Sequence, residues 1–266
     1  MKMILSKILP QITMFRNAIV LSPSCAIADA ITSSSLGKPF YSRALEQHSK
    51  YVETLEQLGL EVEILVEKDL FPDSTFIEDV ALCTPVCAVI TCPGAVSRRG
   101  EITGMRNVLE EYYNTIEEIT FPATLEAGDV MMVGNHYFIG ISSRTNLDGA
   151  NQLIKILNKH KLTGSKVHLK KMLHLKSAVS YLENNNMLVC GEFINYEGFS
   201  AYNRIQIDED ESYAANSLWI NGKVLVPDGF PKTRKKIEKA EYETIALNVS
   251  EFRKVDGGLS CLSLRF

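Results

Sequence analysis

A strand–turn–strand unit recurs along this chain at intervals of roughly 40 to 50 residues, and few architectures accept such a repeat. Ala81-Leu82-Cys83 is separated by Thr84-Pro85 from the apolar run 86–91, and Pro93-Gly94 closes the unit before a helical stretch over about 101–113. Val130-Met131-Met132-Val133, the turn Gly134-Asn135 and Tyr137-Phe138-Ile139-Gly140 repeat the form, with a helix predicted over 151–160. A third hairpin joins 178–182 to 187–190 across three asparagines, and a fourth joins 217–220 to 223–227. The fourth turn is Asn221-Gly222, both of which accept positive φ, and it is the strongest hairpin signal in the chain. A fifth unit exists only if Asn17-Ala18-Ile19-Val20-Leu21 pairs with Cys261-Leu262-Ser263-Leu264-Arg265. Closure of last onto first predicts radial repetition: an α/β propeller of five modules around a central pocket, with a helix in each blade. The competing reading is an ordinary α+β sandwich. With 266 residues, 45% of them hydrophobic, the chain suffices for one core, read as a single domain over 1–266.

Charge excludes one class of partner. The formal net charge is −4, and the one basic run, 232–239, reads as the solvated face of the last helix, so no nucleic-acid footprint is present. Lys7, Pro10 and Arg16 interrupt the N-terminus before a signal-peptide core forms, and no apolar run approaches the roughly 18 to 20 residues that span a bilayer. The six cysteines lie mostly in apolar segments, as reduced thiols do, so a soluble, cytoplasmic protein is expected. Cys83, Cys87 and Cys92 form no Cys-x-x-Cys pair and read as packing thiols rather than metal ligands. No G-x-G-x-x-G follows a strand.

The repeat aligns the polar motifs. Phe76-Ile77-Glu78-Asp79, Leu125-Glu126-Ala127-Gly128-Asp129, Leu173-His174-Leu175-Lys176 and Asp256-Gly257-Gly258-Leu259-Ser260-Cys261 each fall at or just before the first strand of a module. Equivalent positions of a radial fold converge on its axis, which places acids, one imidazole and one thiol around a single pocket. Gly257 and Gly258 let the backbone turn tightly ahead of Cys261 and leave room for a ligand. A thiol, an imidazole and carboxylates are what a nucleophilic enzyme needs to act on a cation such as a guanidinium. His48, His136, His160 and His168 read as structural.

These segments, with Leu36-Gly37-Lys38-Pro39, Phe71-Pro72-Asp73-Ser74-Thr75, Pro93-Gly94-Ala95-Val96-Ser97-Arg98-Arg99 and Ser143-Arg144-Thr145-Asn146, resemble the ordered motifs of dimethylarginine dimethylaminohydrolases over most of the chain. That family belongs to the guanidine-modifying enzymes with a five-bladed α/β propeller, the pentein fold. The resemblance implies hydrolysis of Nω-methylated arginine to citrulline and a methylamine without metal or organic cofactor. Its partner is a small guanidine, not nucleic acid or membrane, and a homodimer is compatible with it.

By the same resemblance Cys261 is the nucleophile, forming a covalent S-alkylthiouronium, and His174 protonates the leaving amine and then activates water. Glu126 orients His174. Asp79, with Glu78 nearby, takes the guanidinium, and Phe76 packs on its plane. Arg98 and Arg144 grip the α-carboxylate, and Asp73 with the backbone of Ile31 and Val255 meets the α-amino end. Ser-rich 32–37 is expected to be a mobile lid. The pattern departs from the family at Ile31, Ala127 and Ser143, all near the pocket, which leaves the reaction class intact and the choice of guanidine open. Arginine deiminase, normally longer, is the nearest enzyme alternative, and a catalytically silent propeller is the alternative of another class.

Overall fold

Residues 14–66 and 71–266 are described by the computed structural model. Five three-stranded sheets are arranged alike. The first blade holds β1 (Asn17–Ser22), α1 (Tyr41–Gln57) and β2 (Glu61–Val66); the second holds β3 (Ala81–Cys83), β4 (Ala88–Ile90), α2 (Met105–Glu110) and β5 (Ile116–Glu118). The third holds β6 (Val130–Val133), β7 (His136–Ile141), α3 (Leu147–Lys159) and β8 (Thr163–His168); the fourth holds β9 (Val179–Tyr181), β10 (Asn186–Val189) and β11 (Asn203–Gln206). The fifth holds β12 (Leu218–Ile220), β13 (Lys223–Pro227), α4 (Pro231–Lys239) and β14 (Glu243–Leu247). The short α5 (Ser250–Arg253) leads back to β15 (Leu264–Arg265), the missing strand of the first blade.

In each blade the middle strand pairs antiparallel with one neighbour and parallel with the other, for example β7 with β6 and with β8. The parallel partner needs a crossover, and a helix supplies it in four blades. Closure pairs Ala18 with Arg265 and Ile19 with Leu264, which is the expected joining of the two ends. The apolar core lies between neighbouring blades. Leu82 and Val89 pack with Val130 and Ile139 at one boundary, and Ile19 and Leu264 with Ala81 and Ile90 at another. No helix among the described residues is long and apolar enough to cross a membrane.

Three sequence expectations need correction. The fourth blade has no α-helix: two single 3-10 turns, Gly191–Phe193 and Glu197–Phe199, fill the crossover. Gly191 sits at φ 55°, a left-handed conformation that interrupts a helix, and Phe193, Tyr196 and Phe199 turn inward to stack edge-on. The expected 101–113 helix is split by Gly104 at φ 84° into the 3-10 turn Val96–Ile102 and α2. Cys261 is not in a strand but in a 3-10 turn, Ser260–Leu262, just before β15.

The start of α3 also fixes part of the site. Asn146 caps the helix by accepting from the Gly149 amide at 2.8 Å, and its side chain accepts from the Thr124 amide at 3.1 Å, two residues before Glu126. The contact is so close that a Cβ on Gly149 would lie 1.9 Å from the Thr124 carbonyl oxygen. Gly149→Ala removes a poor helix former, worth about 1 kcal/mol, but the clash is with backbone. The net expectation is a loss of about 2 kcal/mol or more, read as a lower urea midpoint. An unchanged midpoint would show that the helix can back away.

Candidate active site

The turns that precede the inner strands meet at one end of the ring. The 3-10 turn Ile77–Val80 runs into β3, Ala127–Asp129 into β6 and Leu175–Ser177 toward β9, while Ser260–Leu262 precedes β15. Each is short because the inner strand begins at once. The side chain just before or within the turn is thereby aimed at the axis.

His174 and Cys261 share the walls of two adjoining hollows. One is also lined by Ile31, Asp73, Phe76, Asp79, Arg98, Arg144 and Val255, and the other by Glu78, Lys176, Asn216 and Ser260. The sequence-derived set is thus assembled in one place, although only part of it faces the opening.

Glu126 is fully buried and accepts from His174 Nε2 at 2.8 Å, from Arg144 Nη1 with both oxygens at 3.2 Å, and from the Ala95 amide at 3.1 Å. Asp129 holds the His174 turn by accepting from the Leu175 amide at 2.9 Å and from Ser142 Oγ at 2.6 Å. Burial alone would pull the His174 pKa down, but Asp79, the hydrogen bond to Glu126 and the charge of Asp129 outweigh it and raise it to about 9. The imidazole is therefore a cation at rest.

Asp79 accepts from the Gly128 amide at 2.9 Å and pairs with Arg98 Nη1. Burial pushes its carboxyl up, yet His174 and Arg98 pull it lower still, to about 2. Arg98 is 3% exposed, and it also donates to Glu101 from Nε at 3.0 Å and from Nη2 at 2.8 Å, and to the Phe76 carbonyl at 3.0 Å. Its fork is committed in this arrangement. Arg144 keeps more of its guanidinium toward the hollow. Asp79, Glu126 and His174 each bring one ligand atom within 4.8 Å of the others, the one such group among the described residues. Those atoms already serve one another and the two arginines, so the set works as an ion-pair cluster.

Glu78 lies behind Cys261 rather than beside Asp79. It binds Lys176 at 2.7 Å, Arg265 at 2.8 Å and Ser260 Oγ at 2.8 Å. Asn216 ties the same layer together, accepting from the Ser260 amide and donating to the Lys176 carbonyl, both at 3.0 Å. Burial, then Glu78 and Asp79, push the Cys261 thiol up to about 12, so the resting thiol is neutral.

The two glycines before Cys261 serve differently from the sequence reading. Neither has a positive φ; the left-handed residue is Asp256, at φ 58°. A Cβ on Gly257 would lie 2.1 Å from Phe76 Cε1, and one on Gly258 would lie 2.6 Å from Asn216 Cγ. The space they leave is taken by side chains of the site, not by a ligand. Phe76 itself is buried beneath Gly257 and edge-on to Phe252 at 6.3 Å. Asp256 also accepts from the Ser33 amide at 2.6 Å, and Asp73 from the Ile31 amide at 3.1 Å, so segment 31–33 is strapped across the mouth.

The sequence reading missed Glu101, Asn216, Ser260 and Arg265. Glu101 stands three residues after Arg98, the spacing at which opposite charges meet on a helical turn, and that signal was present. Asn216 stands just before β12, the equivalent position of its blade, and Ser260 adjoins Cys261, so both had a signal in the repeat; Arg265 is brought in by ring closure and had none.

His174 should titrate near 9 in the free protein, measured by NMR of the imidazole, and should move down in Glu126→Gln. Since the folded value lies above the ordinary 6.5, the stabilisation it gives is complete below about pH 6.5 and is lost as pH rises through about 9. A resonance titrating at or below about 6.5 would overturn the ion-pair description.

A family model of eukaryotic N,N-dimethylarginine dimethylhydrolases matches residues 18–263. The chain is 50% identical over 254 residues to the N(G),N(G)-dimethylarginine dimethylaminohydrolase of Pseudomonas aeruginosa, covering 95% of this chain and all of that one. The Streptomyces coelicolor protein of the same name is 32% identical, over 94% of this chain and 96% of its own. A solved structure of the Pseudomonas aeruginosa protein, a cysteine-to-serine mutant complexed with citrulline, superposes with a TM-score of 0.94 at 49% identity, covering 96% of this chain and all of that one. A fold of five like blades, the gathered thiol, imidazole and carboxylates, and these end-to-end likenesses agree: the chain belongs to the dimethylarginine dimethylaminohydrolase family.

Proposed function

We propose that this protein hydrolyses Nω-methylated arginine to citrulline and a methylamine. The observation that carries the reading is that Cys261, His174 and the Asp79 carboxylate line one pocket. A guanidinium seated against Asp79 brings a positive charge to Cys261, which lowers the cost of the thiolate where it is needed.

With the substrate's cation in place Cys261 releases its proton to solvent; the thiolate sulfur then attacks the guanidinium carbon, and the methylated nitrogen departs as its C–N bond breaks, taking a proton from His174. The product of this half is an S-alkylthiouronium on Cys261. Water then adds to that carbon, His174 accepts a proton from it, and the C–S bond breaks to give citrulline and regenerate the cysteine. Glu126 holds the imidazole in line. Arg144, with Arg98 behind it, takes the α-carboxylate; Arg98 is released for this as the substrate guanidinium replaces it on Asp79. Asp73 and the backbone of Ile31 and Val255 meet the α-ammonium, Phe76 floors the guanidinium site, and Glu78 sets the charge behind the sulfur. The buried thiols of Cys87 and Cys190 suit the cytoplasm, and a homodimer is the assembly to look for by sedimentation.

The test is citrulline release from asymmetric dimethylarginine, monomethylarginine and free arginine in parallel. Methylated substrates should be favoured over arginine by at least about ten-fold in kcat/KM. Preference for free arginine would make it a deiminase, and release from none would favour a silent propeller.

A further inference from the structure

Behind the layer formed by Glu78, Lys176 and Ser260 a second cavity of about 130 Å³ follows the axis of the ring. Those three residues line both this cavity and the catalytic hollow, so they form the partition. The cavity walls are the inner strands, including Met131 of β6, Tyr181 of β9 and Trp219 of β12. Its volume is several times the ~15 Å³ that one water needs.

One feature of the wall is out of balance. Glu183, just past β9, is 6% exposed and lines the cavity, yet its Oε2 has no hydrogen-bond partner among the described residues. A buried carboxylate oxygen without a donor is costly, and natural structures leave few of them. Burial pushes the Glu183 carboxyl up to about 7, so at neutral pH it is poised to ionise for a cation. Aromatic surface stands on the same wall: Phe15 and Trp219 have ring centroids 6.3 Å apart, and Tyr181 lines the cavity with them. The inner end is different, because Lys176 and Arg265 both bind the one carboxylate of Glu78 there. That surplus of positive charge drives a cation outward, toward Glu183.

We propose that the axial cavity binds a small protonated alkylamine, with its N–H donated to Glu183 Oε2 and its methyl groups against Tyr181 and Trp219. An ammonium supplies the missing donor and its methyl groups suit aromatic faces, whereas a water supplies only the first. The site is separate from the catalytic hollow and does not depend on the hydrolytic reading.

Trp219 is the sole tryptophan, so its emission reports on this cavity alone. Dimethylammonium chloride is titrated into the full chain at about pH 8, above the Glu183 value, with sodium chloride holding ionic strength constant. A saturable change is expected, unaltered in Cys261→Leu, whose larger side chain intrudes on the catalytic hollow, and weakened at least about ten-fold in Glu183→Gln. If that variant does not fold, Tyr181→Leu is read in its place, with a loss of about three-fold or more. A response that fails to saturate, survives both Glu183→Gln and Tyr181→Leu, or disappears in Cys261→Leu overturns the proposal, the last by assigning the amine to the catalytic pocket.

Discussion

Cys261→Ser is expected to lower citrulline formation from asymmetric dimethylarginine by roughly 10⁴-fold or more while leaving the urea midpoint nearly unchanged. The two side chains are close in size and Cys261 is only partly buried, so the loss is chemical. A hydroxyl is a far weaker nucleophile toward a guanidinium carbon whose charge is delocalised, and nothing in the pocket deprotonates it. His174 already carries its proton. The same argument fixes how the wild-type thiol behaves alone. With its pKa near 12, alkylation by iodoacetamide should climb steadily from about pH 7 to 10 without a plateau, since the thiolate fraction is still rising throughout. A plateau near neutral pH would mean a resting thiolate–imidazolium pair, and substrate-assisted ionisation would then be wrong.

Much of this site was legible because its residues lie at repeated positions. The hairpins announce themselves through turn residues such as Asn221-Gly222, where Asn221 is found at φ 47° and Gly222 at φ 95°. Once the hairpins are aligned, Glu78 to Asp79, Glu126, His174 and Cys261 fall on equivalent turns. What the sequence hid is how these groups pair. Two acids one blade apart, Glu78 and Glu126, look alike in sequence; one is locked to Lys176 and Arg265 and the other to His174 and Arg144. That choice depends on β15 returning beside β3, a contact between residues more than 180 positions apart. The missing helix of the fourth blade is a local failure of the repeat. Residues 191–202 carry two glycines and four inward-packing aromatics, so side-chain stacking overrides the pattern set by the other blades.

Arg98→Met should be the most destabilising change in the pocket, costing about 3 to 5 kcal/mol by urea unfolding at neutral pH. Arg98 is the shared partner of two carboxylates, Asp79 and Glu101, whose side chains are 5% and 3% exposed. Methionine fills the volume but leaves both acids facing one another in a site that excludes water. The pH dependence distinguishes this from lost packing. In the wild type the folded pKa of Asp79 lies below its ordinary value, near 2, so its stabilisation is present above about 4 and is lost as pH falls through 2. Removing Arg98 takes away one of the charges that hold Asp79 down, and it removes the attraction that opposes burial at Glu101, already pushed up. Both folded values therefore rise, and the penalty on the variant grows as pH climbs from the acids' ordinary values to the raised ones, above which it levels off. The difference between wild type and Arg98→Met should shrink as pH is lowered from about 8 to 5, where the acids can be neutral. Glu101→Gln, which keeps the Asp79 pair, should cost far less and retain activity. A stability difference that stays constant across that range would mean that the arginine's stem, rather than its charge, holds the pocket together.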